Sequence, residues 1–172
     1  MNWRQTENAM LGLPIWWVRY ERGVLRIDFG SPYLRIKEPA TNTNLGDSLT
    51  GKLRRRRIAN PTGDFHLFAD NCDWEVRAFD LYCNKNTTDQ SNIALCLSSL
   101  SGQKFIDVHF STRHLECIFH FDLGGTLSLR SVEQSSEKES AVKKADLWTI
   151  FFKDGTYISY DEDGRFVYNG GS

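Results

Sequence analysis

Four residues within eight positions, His66, Asp70, Cys72 and Asp73, are of the types that carry out chemistry. A cysteine attacks as its thiolate, so it needs a neighbouring imidazole to take the proton and a third group to orient that imidazole. His66 and Cys72 with either aspartate hold that inventory, and His66, Asp70 and Asp73 also offer three donors to a metal ion. Both arrangements require the chain to double back so that His66 meets Cys72. The Asp70-Asn71 pair reads as a hairpin tip or as a bulge, and the two readings place the side chains differently. The region therefore stands as an enzyme alternative, thiol- or metal-dependent. The simpler account of the same residues is a buried Cys72, a turn at Asp70-Asn71 and a core Trp74.

Other clusters are weaker. His109, His114, Cys117 and His120 are rich in ligand atoms, but strand alternation sends His114 and His120 to one face and Cys117 to the other. Asp161, Asp163 and Gly164 resemble the start of a calcium loop, yet the twelfth position counted from Asp161 is Ser172, where a glutamate is needed. Hairpin turns explain them better. The chain has no P-loop, no G-x-G-x-x-G and no G-x-S-x-G, so nucleotide hydrolysis and α/β-hydrolase chemistry lack a motif. No catalytic residue, cofactor or metal is assigned.

Lys52-Leu53-Arg54-Arg55-Arg56-Arg57 places five charges in six residues. Such a run can meet an acidic partner or a phosphate backbone, or it can protect an exposed strand edge from unwanted pairing. Arg54, Arg55, Arg56 and Arg57 are the candidate partner-binding residues. A formal net charge of −1 gives the whole protein no long-range pull toward nucleic acid or anionic lipid, so nucleic-acid binding would be local to this run.

The elements that would position these groups are mainly strands. Ile15 to Tyr20, Val24 to Phe29 and Tyr33 to Lys37 alternate apolar with polar residues and are separated by Glu21-Arg22-Gly23 and Gly30-Ser31-Pro32. Residues 38–50 form a polar connection, and Phe65 to Cys83 is again rich in strand formers. Thr87 to Gln90 matches a capping box ahead of Ile93, Cys96, Leu97 and Leu100, which predicts one main helix at about 88–101 ending near Gly102. Ile106, Val108 and Phe110 share a face that Leu115, Cys117, Phe119 and Phe121 continue, and Gly124-Gly125 turns the chain into Thr126 to Val132. Residues 136–145 read as a short helix or a solvated loop. Leu147 to Tyr168 is a three-stranded meander; a tip at Asp154-Gly155 would set Phe152 opposite Tyr157 and Phe151 opposite Ile158.

At 172 residues, with 40% hydrophobic residues including five Trp and eleven Phe, the chain can bury a core without disulfides or a structural metal. The expected fold class is α+β, dominated by antiparallel β-sheet in meanders and hairpins. It would form a single domain over 1–172, or two packed β-rich halves at about 1–84 and 85–172. The four scattered cysteines and the absence of a signal-like or membrane-length apolar stretch point to reduced thiols and a cytoplasmic location.

Leu13-Pro14-Ile15-Trp16, Gly63-Asp64-Phe65-His66-Leu67, Cys72-Asp73-Trp74, Phe121-Asp122-Leu123-Gly124-Gly125 and the hairpins from Trp148 to Gly164 together resemble a group of small uncharacterised bacterial β-rich proteins. That resemblance implies no activity. In style the chain is also similar to immunity proteins, which act by binding another protein. The expected function is accordingly a noncatalytic protein-interaction module that binds through exposed aromatic strands and the arginine run, with a homodimer compatible with the sequence.

Overall fold

A computed structural model describes residues 2–39, 56–111, 115–132 and 145–170. Two antiparallel sheets pack face to face. The first has six strands in the order β1-β2-β5-β11-β12-β13, and the second has five in the order β7-β6-β10-β9-β8. Their strands are β1 (Ile15–Glu21), β2 (Val24–Phe29), β5 (Phe65–Ala69), β6 (Cys72–Ala78), β7 (Leu81–Asn84), β8 (Phe105–Ser111), β9 (Glu116–Phe121), β10 (Thr126–Ser131), β11 (Asp146–Phe152), β12 (Tyr157–Asp161) and β13 (Phe166–Asn169). The remaining pair, β3 (Tyr33–Lys37) and β4 (Ile58–Thr62), forms a separate two-stranded ribbon. The fold is thus α+β with β-sheet dominant, as the alternation predicts.

The period of two explains the core. In β2, Leu25, Ile27 and Phe29 point inward; in β9, Cys117, Phe119 and Phe121 do so, and in β10 Leu127 and Leu129, all at 2% exposure or less. Rings from the two sheets meet between the layers. Tyr20 of β1 packs edge-on against Trp74 of β6 at 4.9 Å, and Phe119 of β9 against Trp148 of β11 at 5.9 Å. The second sheet is built from the consecutive strands β6 to β10, and the first combines strands from before and after them.

Among the described residues two helices flank the sandwich. The main helix, α2 (Gln90–Ser98), buries Ile93, Cys96 and Leu97 against β1, β6 and β7. Its cap differs from the predicted box. Asp89 is the N-cap and accepts from the Ser91 amide at 2.9 Å, while the Thr87 hydroxyl is held by the preceding turn, accepting from the Asn84 amide at 3.0 Å. A shorter Asx-type cap two residues nearer the helix has displaced the longer reach. The sequence reading missed helix α1 (Trp3–Met10), which opens on a capping box between Asn2 and Gln5. Its apolar anchors are few, chiefly Trp3 and Met10, so periodicity gave little signal.

Three further details depart from expectation. The β11–β12 register is Phe151 opposite Tyr157 and Ile150 opposite Ile158. The loop holds three residues, because the Gly155 amide, at φ +88°, donates to the Phe152 carbonyl and Phe152 pairs with Thr156. In β8 a bulge between Phe105 and Asp107 switches parity: Phe105 is buried beside Val108 and Phe110, while Ile106 is exposed at 48%. Asp70-Asn71 is neither a hairpin tip nor a bulge, since β5 and β6 belong to different sheets and the pair carries the chain across from one to the other. The helix-or-loop question at 136–145 falls on residues that, Ala145 excepted, lie outside the described ones. No helix among the described residues is long and apolar enough to cross a membrane.

Candidate functional site

The outer face of the first sheet is where charged, aromatic and imidazole groups collect. Strand register sets two rows across all six strands: Trp17, Asp28, His66, Phe151, Tyr157 and Asn169 in one, and Arg19, Arg26, Phe68, Thr149, Ser159 and Val167 in the other. Arg19 lies 4.0 Å over the Trp17 ring and Arg26 lies 4.8 Å over Phe68, which covers those ring faces with guanidinium groups.

Asp28 is on this outward face, yet it is 1% exposed because the β4–β5 turn lies on top of it. Its Oδ1 accepts from the Gly63 amide at 2.7 Å and from the Thr62 hydroxyl at 3.0 Å, and His66 Nδ1 lies 3.0 Å away. Burial pushes the carboxyl pKa up; the His66 hydrogen bond and charge, with the Gly63 and Thr62 donors, outweigh it and hold the group below the ordinary carboxylate value. The close approach requires glycine at 63, since a Cβ there would collide with the Phe29 backbone.

A second carboxylate fixes the other side of the turn. Asp64 accepts from the Ser31 amide at 2.8 Å and lies 3.6 Å from Lys153 Nζ, and that ammonium sits 4.8 Å over the Tyr33 ring. Asp28 and Asp64 therefore clamp the root of the β3–β4 ribbon, where Tyr33 pairs with Thr62, onto the sandwich. Beyond the root the ribbon is an arm. Leu34 pairs with Pro61 and Ile36 with Ala59, so these four share one face, and all four are exposed, Leu34 at 65% and Ile36 at 56%. At its far end Arg57 forms a forked pair with Glu38, Nε and Nη2 lying 2.9–3.0 Å from the carboxylate oxygens.

The arginine run is thus attached to the arm. Arg56 and Arg57 are exposed immediately before β4; Arg54 and Arg55 lie outside the described residues. The enzyme candidates separate. His66 faces outward from the first sheet against Asp28, whereas Cys72 belongs to the second sheet and is 1% exposed in the core. Burial pushes the Cys72 thiol up to about 12, with Lys85 opposing weakly, so it is a protonated core group at neutral pH. Asp70 is exposed at the crossover, and Asp73 lies 3.6 Å from Lys85. Among the described residues no group of three His, Cys, Asp or Glu side chains is arranged to hold a metal ion. Of the other histidines, His120 Nε2 lies 4.0 Å from Asp107, and His114 is outside the described residues.

Sequence reasoning missed Asp28, Asp64, Thr62, Gly63 and Tyr33 as a unit. The available signal was Asp28 itself, an acid between core residues Ile27 and Phe29, but its partners lie more than thirty residues away. No family model matches the chain, and neither the curated proteins nor the solved structures yield a match to it.

Proposed function

We propose that this chain is a noncatalytic protein-binding module whose β3–β4 arm docks on an acidic protein surface. The observation that carries the reading is the exposed apolar face of the arm, Leu34, Ile36, Ala59 and Pro61, held out from the sandwich by a built root. Isolated two-stranded ribbons are marginal in water, and an apolar strip on one is covered when a partner binds. Charge supports an acidic partner. Residues 33–62 contain seven Lys and Arg against Glu38 and Asp47, a net of +5, so the rest of the chain carries −6 of the total of −1. Arginine is also among the residues enriched at interface centres.

The test uses tagged wild-type protein and the double variant L34S/I36S on the same cell extract, followed by titration with the purified captured protein. The expected result is an acidic protein held by the wild type, weakened at least about tenfold by the double substitution and weakened by salt. Equal capture by both proteins would overturn the reading. So would tight binding of a single-stranded oligonucleotide with a steep salt dependence and no protein partner.

A further inference from the structure

Charged side chains on the outer faces of the two sheets are arranged in opposite ways. On the second sheet, Arg130 stands opposite Asp73 of β6 and Glu116 of β9, with Nη2 3.7 Å from Glu75 and Nε 4.0 Å from Glu116, and Arg77 Nε lies 2.7 Å from Glu75. Both arginines of that sheet's described strands therefore meet carboxylates. On the first sheet, register sets Arg19 of β1 directly opposite Arg26 of β2, like charge against like. Arg19 has Glu21 at 3.8 Å, itself 57% exposed, and Arg26 has no carboxylate partner among the described residues. Like charges in directly opposed positions work against strand pairing, and a counter-charge between them removes that cost.

The two guanidinium groups are nonetheless held in place. Arg19 lies 4.0 Å over the Trp17 ring and Arg26 4.8 Å over Phe68, and the Nε atom of each is buried without a hydrogen-bond acceptor. Ring stacking, not a protein carbonyl or carboxylate, fixes their planes, so less rotamer freedom remains to be lost when their terminal nitrogens meet a ligand. Beside Arg26 an open hollow of about 710 Å³ follows the β1–β2 turn, lined by Glu21, Arg22, Val24 and Arg26. That volume is within the range of small-molecule sites. Arg22 adds a third cation from the turn, at φ +53°, where a bulky side chain is uncommon. Asp28, two residues along β2, is closed over by Gly63 and Thr62 and paired with His66, so its charge is already engaged. The cationic patch stands on a body whose residues outside 33–62 carry a net −6.

We propose that Arg19, Arg22 and Arg26 form a site for the phosphate group of a small, soluble sugar phosphate. A phosphate monoester carries close to two negative charges and three acceptor oxygens, which answers two opposed guanidinium groups more fully than a single carboxylate does. Glu21 at the rim is an acceptor, and a hydroxyl next to the ester donates to it. The site lies on the sandwich itself and is independent of docking by the arm.

Isothermal titration calorimetry of the full chain with ribose 5-phosphate at constant ionic strength tests the site. The expected result is one ligand per chain with a Kd of about 1 mM or tighter, and no binding of ribose. Binding should weaken at least about tenfold in both R19Q and R26Q, which lose charge-assisted hydrogen bonds. The ligand should raise the wild-type Tm and leave that of these two variants unchanged. Arg22 is exposed in the turn, so R22Q tests the site without disturbing either strand, and it should weaken binding at least about threefold. A wild type that does not bind ribose 5-phosphate, undiminished binding by the folded variants, or binding to phosphatidic acid vesicles alone would overturn the proposal.

Discussion

The β9–β10 hairpin and the β3–β4 arm are both antiparallel pairs with alternating apolar residues, but they end in opposite surroundings. On β9 and β10, Cys117, Phe119, Phe121, Leu127 and Leu129 are buried to within 2%. On the arm, Leu34 and Ile36 are more than half exposed. Local pattern does not distinguish them; the layer beyond does. The inner face of β9–β10 meets Trp148 and its neighbours from the other sheet, whereas the side-chain links described between the arm and the sandwich, through Asp28, Asp64 and Lys153, lie at its root. Alternation makes a strand, and a second layer makes a core.

The widest separation between the two regions is expected from truncating an apolar residue in each. Trp148 is 1% exposed and touches rings of Trp3, Phe110, Phe119, Tyr160 and Phe166. Trp148→Ala should lose about 3–5 kcal/mol of stability by urea denaturation, the range for a large aromatic replaced in a core. Ile36→Ser should change it by no more than about 0.5 kcal/mol, as an exposed substitution does. A comparable loss at Ile36 would mean that the arm packs on the body and would end the contrast.

The root should fall between these extremes. Asp28→Ala leaves the Gly63 amide, the Thr62 hydroxyl and His66 without their common acceptor, an expected loss of about 2–3 kcal/mol. pH sharpens the assignment. The folded pKa of Asp28 lies below its ordinary value, so its contribution is full above the unfolded carboxylate pKa of 3.8 and disappears as pH falls through the lower, folded value. Wild type and Asp28→Asn should therefore converge in stability as pH drops through that acidic window. A constant gap down to the most acid pH would show that the charge on Asp28 is not what matters. Gly63→Ala should lose about 1–3 kcal/mol in thermal melts, because the turn must back away from Phe29 and weaken the same hydrogen bonds.

Legibility from sequence follows the same divide. The strands of the sandwich and the main helix could be read from Leu25, Ile27 and Phe29, or from Ile93, Cys96 and Leu97, because periodicity records which side faces a core. Residues whose role depends on distant partners left no such trace. Asp28 reads as an ordinary outward acid until Gly63 closes over it, and Asp70-Asn71 reads as a turn until its flanking strands are assigned to different sheets. The parity switch at Phe105 and the one-residue shift at Gly155 are local, but each turns on one residue that the alternation rule cannot count. His66 and Cys72 lie six positions apart in the sequence, yet the crossover between sheets puts one outside the sandwich and the other inside it.

The smallest effect belongs to the far end of the arm. Arg57 and Glu38 form a well-aligned forked pair, but their side chains are 65% and 64% exposed, so water and salt screen the attraction. A double-mutant cycle with Arg57→Ser and Glu38→Ser should give a coupling under about 1 kcal/mol that shrinks further as salt is added. Under the proposed docking of the arm, the same Arg57→Ser change should still weaken capture of an acidic partner while leaving stability nearly unchanged. Coupling well above that range would assign the forked pair a structural duty in closing the arm, and the arm would then resemble the sandwich more than its exposure suggests.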